Sequence, residues 1–250
     1  MGNSRLKNSA LNFASGFLGR VLTILLNFIV RTIFIHCLNE AYLSVNGLYS
    51  NILTVLSLAE LGFGSAMVFR MYAPVAAKDY QKTAALLHFY KKIYAIIGAV
   101  IFGLGLCVIP FMDYIIKDKP DVSGLTLYYI LFLINTTISY WFASYKASVL
   151  YADQKEYIKT NVQNATTILQ SVLQIVLLLI FRKYLLYLLV QLGCNIILNL
   201  YVAHLVDKRY PQIREHQDAR LTSDERGQIK KDAEALVLSR FGHVALNGTD

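Results

Sequence analysis

The chain has 250 residues, 56% of them hydrophobic and only 16% charged, with a mean hydropathy of +0.45. That balance excludes an ordinary soluble domain and indicates an integral membrane protein. The formal net charge of +8 does not point to nucleic acid, because the basic residues lie in segments between apolar runs rather than on one face with interleaved aromatics.

A helical span needs about 20 mainly apolar residues, and six stretches qualify: about 11–37, 45–70, 93–112, 125–150, 162–181 and 184–206. The predicted fold is all-α, a polytopic transmembrane bundle of six spans over residues 1–206, followed by a cytoplasmic loop and amphipathic helix over 207–250. The first stretch is too long for a signal-peptide apolar region and no small-residue cleavage site follows it, so it stays in the mature chain.

Span one carries Arg20, Asn27 and Arg31 at separations of 7 and 11, which puts them on one helix face. Span two carries Glu60, the one acidic side chain in any of the six. A carboxylate at bilayer depth costs about 2.5–3.5 kcal/mol on insertion scales, so it faces a bundle interior or a wet cavity and pairs with a cation. Counted along antiparallel helices at 1.5 Å per residue, Arg20 and Glu60 fall at depths of roughly 25 and 22 Å from one surface, which predicts an ion pair between them. Such a pair fits a transporter and equally fits a structural bridge between two helices.

Span three carries no polar stripe; Ala95, Ala99 and Gly103 have small-xxx-small spacing and predict a packing helix. Span four aligns Asn135, Ser139 and Lys146, span five Gln163, Thr167, Gln170 and Gln174, and span six Gln191, Asn195 and Asn199. One such residue alone is ordinary interhelical glue, at about 0.6 kcal/mol per contact. Stripes on four helices predict a central hydrophilic cavity lined by Arg20, Asn27, Arg31, Glu60, Asn135, Gln170, Gln174 and Asn195.

Beyond the spans, residues 207–221 read as a polar loop, and Thr222-Ser223-Asp224-Glu225 forms a capping box that opens a new helix. Ile229, Ala233, Leu236, Val237, Phe241 and Val244 continue it at helical spacing. No helix stop precedes Asp250, so the chain reads as the first part of a longer protein.

Lys and Arg number two at the N-terminus, five over 70–92, three over 146–159 and eight after Asp207, which makes 18 on one side against 4 in the opposite loops. The positive-inside rule therefore predicts cytoplasmic termini. Cys37, Cys107 and Cys194 lie far apart without metal spacing, and the five His residues join no ligand set. Phosphate-loop, nucleophile-elbow and zinc motifs are missing too, so neither an enzyme nor a cofactor is indicated.

Three blocks stand out: Ser4-Arg5-Leu6-Lys7-Asn8-Ser9, Leu58-Ala59-Glu60-Leu61-Gly62-Phe63-Gly64-Ser65-Ala66 and Met71-Tyr72-Ala73-Pro74-Val75-Ala76. They resemble the polysaccharide flippases of the Wzx type, within the multidrug/oligosaccharidyl-lipid/polysaccharide exporter superfamily. Leu133-Ile134-Asn135-Thr136-Thr137-Ile138-Ser139-Tyr140, Tyr145-Lys146-Ala147-Ser148 and Asn247-Gly248-Thr249-Asp250 add to the resemblance, which covers the whole chain. It implies a two-lobe bundle of 12 to 14 helices, this chain being the N-terminal lobe, in a multi-pass protein of the cell membrane. The implied activity is translocation of undecaprenyl-pyrophosphate-linked oligosaccharide for surface polysaccharide synthesis, by alternating access between lobes.

The expected partners are that lipid-linked substrate, membrane lipids, the C-terminal lobe and other polysaccharide-assembly proteins, without nucleic acid. Arg20 and Arg31 are the candidates for the pyrophosphate, since the guanidinium offers two parallel donors. Two alternatives remain open at this point. A cation-coupled drug or small-molecule exporter of the same superfamily would use Glu60 as its ion site, and a membrane-embedded glycan polymerase or ligase would need a larger external loop than any here.

Overall fold

The computed structural model describes residues 2–57, 63–115, 122, 124–142, 144–216 and 218–232. All regular structure among them is helical. Helix α1 is Gly2–Leu38 and α2 Glu40–Ser57; α3 is Phe63–Ala77 and α4 Tyr80–Val108. A short 3-10 turn and α5, Met112–Ile115, precede α6, Leu125–Trp141. Then come α7 (Ala147–Ala152), α8 (Glu156–Phe181), α9 (Tyr184–Arg209) and α10 (Pro211–Glu215), and residues 223–232 are helical as well.

The connections are tight because single residues turn left-handed and stop each helix. Asn39 does so at φ 84° after α1, and its side-chain oxygen accepts the Ala41 amide at 3.0 Å to cap α2. Lys78 (φ 57°) ends α3, and the Asp79 carboxylate caps α4 by accepting the Lys82 amide at 2.8 Å. Gln154 and Arg182 serve the same purpose before and after α8.

Four helical stretches are long and apolar enough to cross a membrane: Leu6–Leu38, Tyr80–Phe111, Glu156–Phe181 and Tyr184–Arg209. A fifth is Leu125–Trp141 with Ser144–Ala152, if this pair, bent by 46°, counts as one span. The first, third, fifth and sixth predicted spans thus lie within helices, and the fourth is broken near its C-terminal end. The second, 45–70, becomes α2 and α3 with residues 58–62 outside the described set. Large apolar side chains face outward along the long helices, among them Phe28 at 72% exposure and Ile180 at 65%, as suits a hydrocarbon surrounding.

Helices α1 and α8 run parallel, because Asn12 meets Tyr157 and Gly19 meets Asn164 at one constant sequence offset. Two cores stack along the bundle. One, at the α1–α2 and α8–α9 turns, is aromatic: Tyr184 meets Phe34, Tyr42 and Tyr128 edge-on at 5.6, 5.3 and 4.8 Å. Its buried hydroxyls find partners: Tyr49 donates to the Leu125 carbonyl (3.0 Å), Tyr129 to that of Gly105 (2.9 Å) and Tyr184 to the Asn46 side-chain oxygen (3.2 Å). The other core gathers Met67, Met71, Leu86, Tyr90, Leu150 and Val206 at the opposite, lysine- and arginine-rich end.

The packing face of α4 corrects one expectation. Ala95, Ala99 and Gly103 are exposed, and Gly103 has open space where a Cβ would stand. Gly98 and Gly105 make the close approach instead: an added Cβ would lie 2.9 Å from Tyr140 and 2.3 Å from Leu133, both on α6. Seven-residue glycine spacing with Ile101 buried between them, rather than the four-residue stripe, marks the contact.

The capping box stands as predicted. The Thr222 amide donates to Glu225 at 3.0 Å and the Glu225 amide to the Thr222 hydroxyl at 3.4 Å. The helix it opens lies across α3 and α4, burying Leu221 and Ile229 in the second core, with ion pairs Arg70–Asp232 and Lys82–Glu225. Its predicted continuation from Ala233 onward lies outside the described residues.

Candidate functional site

A cavity of about 810 Å³ opens between α3, α4, α6, α7, α8 and α9. That volume falls in the usual range of ligand sites. Its position follows from the break between α6 and α7: Phe142 leaves helical geometry (φ −96°, ψ 56°), and the chain resumes as a 3-10 turn that brings Ser144 and Tyr145 to the wall. Gly64 and Ser65, at the start of α3, form the facing wall.

Tyrosine dominates the lining: Tyr72, Tyr94, Tyr140, Tyr145 and Tyr151 come from α3, α4, α6, the 3-10 turn and α7. Tyr94 and Tyr140 sit 5.8 Å apart, tilted by 44°. Hydroxyls and amides fill the gaps, from Ser139, Ser148, Gln163, Asn195 and Asn199. Among the described residues the charged lining side chains are Glu156 and Lys159, opposite in sign. Lys159 donates to the Tyr151 hydroxyl at 2.6 Å and lies 5.1 Å from that ring's centre.

An asparagine chain ties α6 to α9 beside this space. Asn195 donates to the Asn135 carbonyl at 2.8 Å and to its side-chain oxygen at 3.1 Å, while Asn199 donates to the side-chain oxygen of Asn195 at 2.9 Å. Asn195 and Asn199 also line the cavity.

The predicted site residues do not converge on one space. Arg20, Asn27 and Arg31 sit exposed on one face of α1, away from the cavity lining. Gln174 is buried and donates to the Tyr187 carbonyl at 3.3 Å, which makes it a bridge between α8 and α9; Gln170 is half-buried on α8. Asn135 and Asn195 come together as described. Glu60 lies outside the described residues, so its pairing with Arg20 does too.

What sequence reasoning missed are the tyrosines. They come from five separate segments and share no helix face, so no spacing rule groups them; only the tertiary fold does. Among the described residues no cluster of three or more His, Cys, Asp or Glu could hold a metal ion. The arrangement suits binding by hydrogen bonds and aromatic faces. Comparison of the chain with family models, curated proteins and solved structures gives no match.

Proposed function

We propose that this chain is one lobe of a flippase that carries a lipid-linked oligosaccharide across the cytoplasmic membrane, with the sugar lodged in the tyrosine-lined cavity. The observation that carries this reading is the lining itself: five tyrosines with serine and amide groups around about 810 Å³ of space. Pyranose rings present C–H faces to aromatic rings and hydroxyls to amides, and neither contact depends on one particular sugar.

The exposed face of α1 supports the second half of the proposal. Arg20 and Arg31 would neutralise the pyrophosphate, with Asn27 between them, where a second lobe closes against this one and shields the charge. Alternating access then consists of one lobe rocking against the other while the sugar stays bound. The lysine- and arginine-rich end faces the cytoplasm in this reading, with the termini on that side.

Trp141 is the only tryptophan and directly follows Tyr140 of the cavity wall, so its emission reports on occupancy. Titrating the purified chain in nanodiscs with undecaprenyl-pyrophosphate oligosaccharide should give a saturable change, absent with the bare polyprenyl pyrophosphate and absent in Tyr94→Ala. An equal response to the bare lipid would overturn the sugar assignment.

A further inference from the structure

Two helix stops in this chain are the same motif set side by side. At the end of α3, Lys78 turns left-handed (φ 57°) and the amide after it reaches the Pro74 carbonyl at 2.8 Å; at the end of α7, Gln154 turns at the same φ and the amide after it reaches the Leu150 carbonyl at 2.8 Å. Both are Schellman stops, in which that bond spans five positions. Helix α3 packs on α7, so the two turns are neighbours, and with the end of α9 they border a pocket of about 250 Å³ at the lysine- and arginine-rich end of the bundle. The first turn supplies Lys78 and Tyr80, the second Asp153 and Lys155, and the end of α9 Arg209 and Tyr210.

The partners of these charges are unevenly shared. Asp153 is taken: it pairs with Lys155 and accepts the Tyr210 hydroxyl, while the Lys155 ammonium stands 5.8 Å from the centre of the Tyr210 ring. Arg209 faces that phenol too, its charge opposing the rise that burial and the Asp153 bond give the Tyr210 pKa. A neutral phenol leaves the guanidinium its charge. Neither Arg209 nor Lys78 has a carboxylate partner among the described residues, and Asp79, beside Lys78, is held by the Lys82 amide at 2.8 Å. Two positive charges from different elements therefore line one small space. Val149, another of its walls, is fully buried, which sets the pocket among the helix ends rather than on the perimeter of the bundle.

We propose that this pocket binds a phosphate group, to which Arg209 gives two parallel donors and Lys78 a point charge. A phosphate monoester carries about −1.5 to −2 at neutral pH, which matches two cations where a carboxylate matches one. The volume lies below the ~300–1,000 Å³ of drug-sized ligand sites, so the pocket takes the phosphate of its ligand rather than a whole nucleotide. The span Tyr184–Arg209, at roughly 39 Å, exceeds the ~30 Å hydrocarbon thickness and puts Arg209 at headgroup height, within reach of a soluble phosphate and of a lipid headgroup. The inference stands whether or not the tyrosine-lined cavity binds sugar.

Calorimetric titration of the full chain, in phosphatidylcholine nanodiscs, with inorganic pyrophosphate tests the site. Saturable binding is expected, and Lys78→Gln or Arg209→Gln should each weaken it about tenfold, which is about 1.4 kcal/mol. Gln154 shows that glutamine adopts the left-handed turn Lys78 occupies, so the first variant should keep its thermal midpoint. Lys208→Gln removes an equal charge next to Arg209 but outside the pocket, and should leave binding unchanged. Binding in these discs assigns a soluble ligand. In its place, retention of phosphatidic acid over phosphatidylcholine in native mass spectrometry, lost in the Lys78 and Arg209 variants, assigns a lipid headgroup. Binding of neither probe, or an equal loss in Lys208→Gln, would overturn the site.

Discussion

Asn164 on α8 occupies the space that a side chain on Gly19 of α1 would need: its amide oxygen lies 2.3 Å from where a Gly19 Cβ would stand, and its nitrogen donates to the Ser15 carbonyl at 3.3 Å. The glycine allows the two parallel helices to approach, and the asparagine ties them. Gly19→Ala should push Asn164 out of its hydrogen bond and destabilise the chain by about 1–3 kcal/mol. Asn164→Ala alone should cost about 0.6 kcal/mol. The double variant should be milder than Gly19→Ala, because the clash is gone. Thermal unfolding in detergent measures all three, and additive losses would contradict the contact.

The helix over residues 223–232 is clamped at both ends, by Lys82–Glu225 and Arg70–Asp232. All four side chains are 34–45% exposed, so each pair contributes only about 0.2–1 kcal/mol. The buried Leu221 and Ile229 supply most of the docking. Arg70→Glu should therefore make the segment only modestly more sensitive to limited proteolysis, with Asp232→Arg in the same chain restoring it. Ile229→Asp should release it outright.

Tyr210, beyond the end of α9, donates to the Asp153 carboxylate, which also pairs with Lys155. Burial, and then this hydrogen bond, raise the phenol well above its usual value near 10. A raised phenol favours the neutral form in the folded chain, so its contribution is complete below about pH 10 and fades as the pH climbs above that. Tyr210→Phe should lower the thermal midpoint at pH 8 and narrow the gap to the parent as the pH approaches 11. A gap that widens with pH would show that the tyrosine does not act through this bond.

Asp79 in the α3–α4 turn and Lys183 in the α8–α9 turn lie at opposite ends of the bundle. With the three native cysteines replaced, cysteines at these positions should be labelled from opposite faces of the membrane by an impermeant thiol reagent, Asp79→Cys from the cytoplasm. Labelling of both from one face would contradict the up-and-down course of the chain.

Arg31 is exposed on α1, so its replacement should cost the fold little. Under the proposed pyrophosphate role, Arg31→Lys should reduce glycan export by cells while protein levels hold, because lysine keeps the charge but loses the two-pronged donor geometry. Undiminished export would reduce Arg31 to an interfacial anchor.

The sequence by itself determined the helical class, the long apolar helices and the capping box at Thr222, because those depend on local quantities: runs of apolar side chains, and a side chain reaching an amide three residues away. It also marked Asn135, Asn195 and Asn199 as inward-facing, since period alone selects a helix face. It misjudged which face of α4 packs, choosing Ala95, Ala99 and Gly103 over Gly98 and Gly105. Small residues permit close approach, but the partner surface, here Leu133 and Tyr140 of α6, decides where it happens. Only the tertiary structure separated the α1 stripe from the interior and gathered Tyr72, Tyr94, Tyr140, Tyr145 and Tyr151 around one space. Those tyrosines come from five segments spread over 80 positions, and their meeting depends on the break between α6 and α7 and on how the helices cross, neither of which is written in any local spacing.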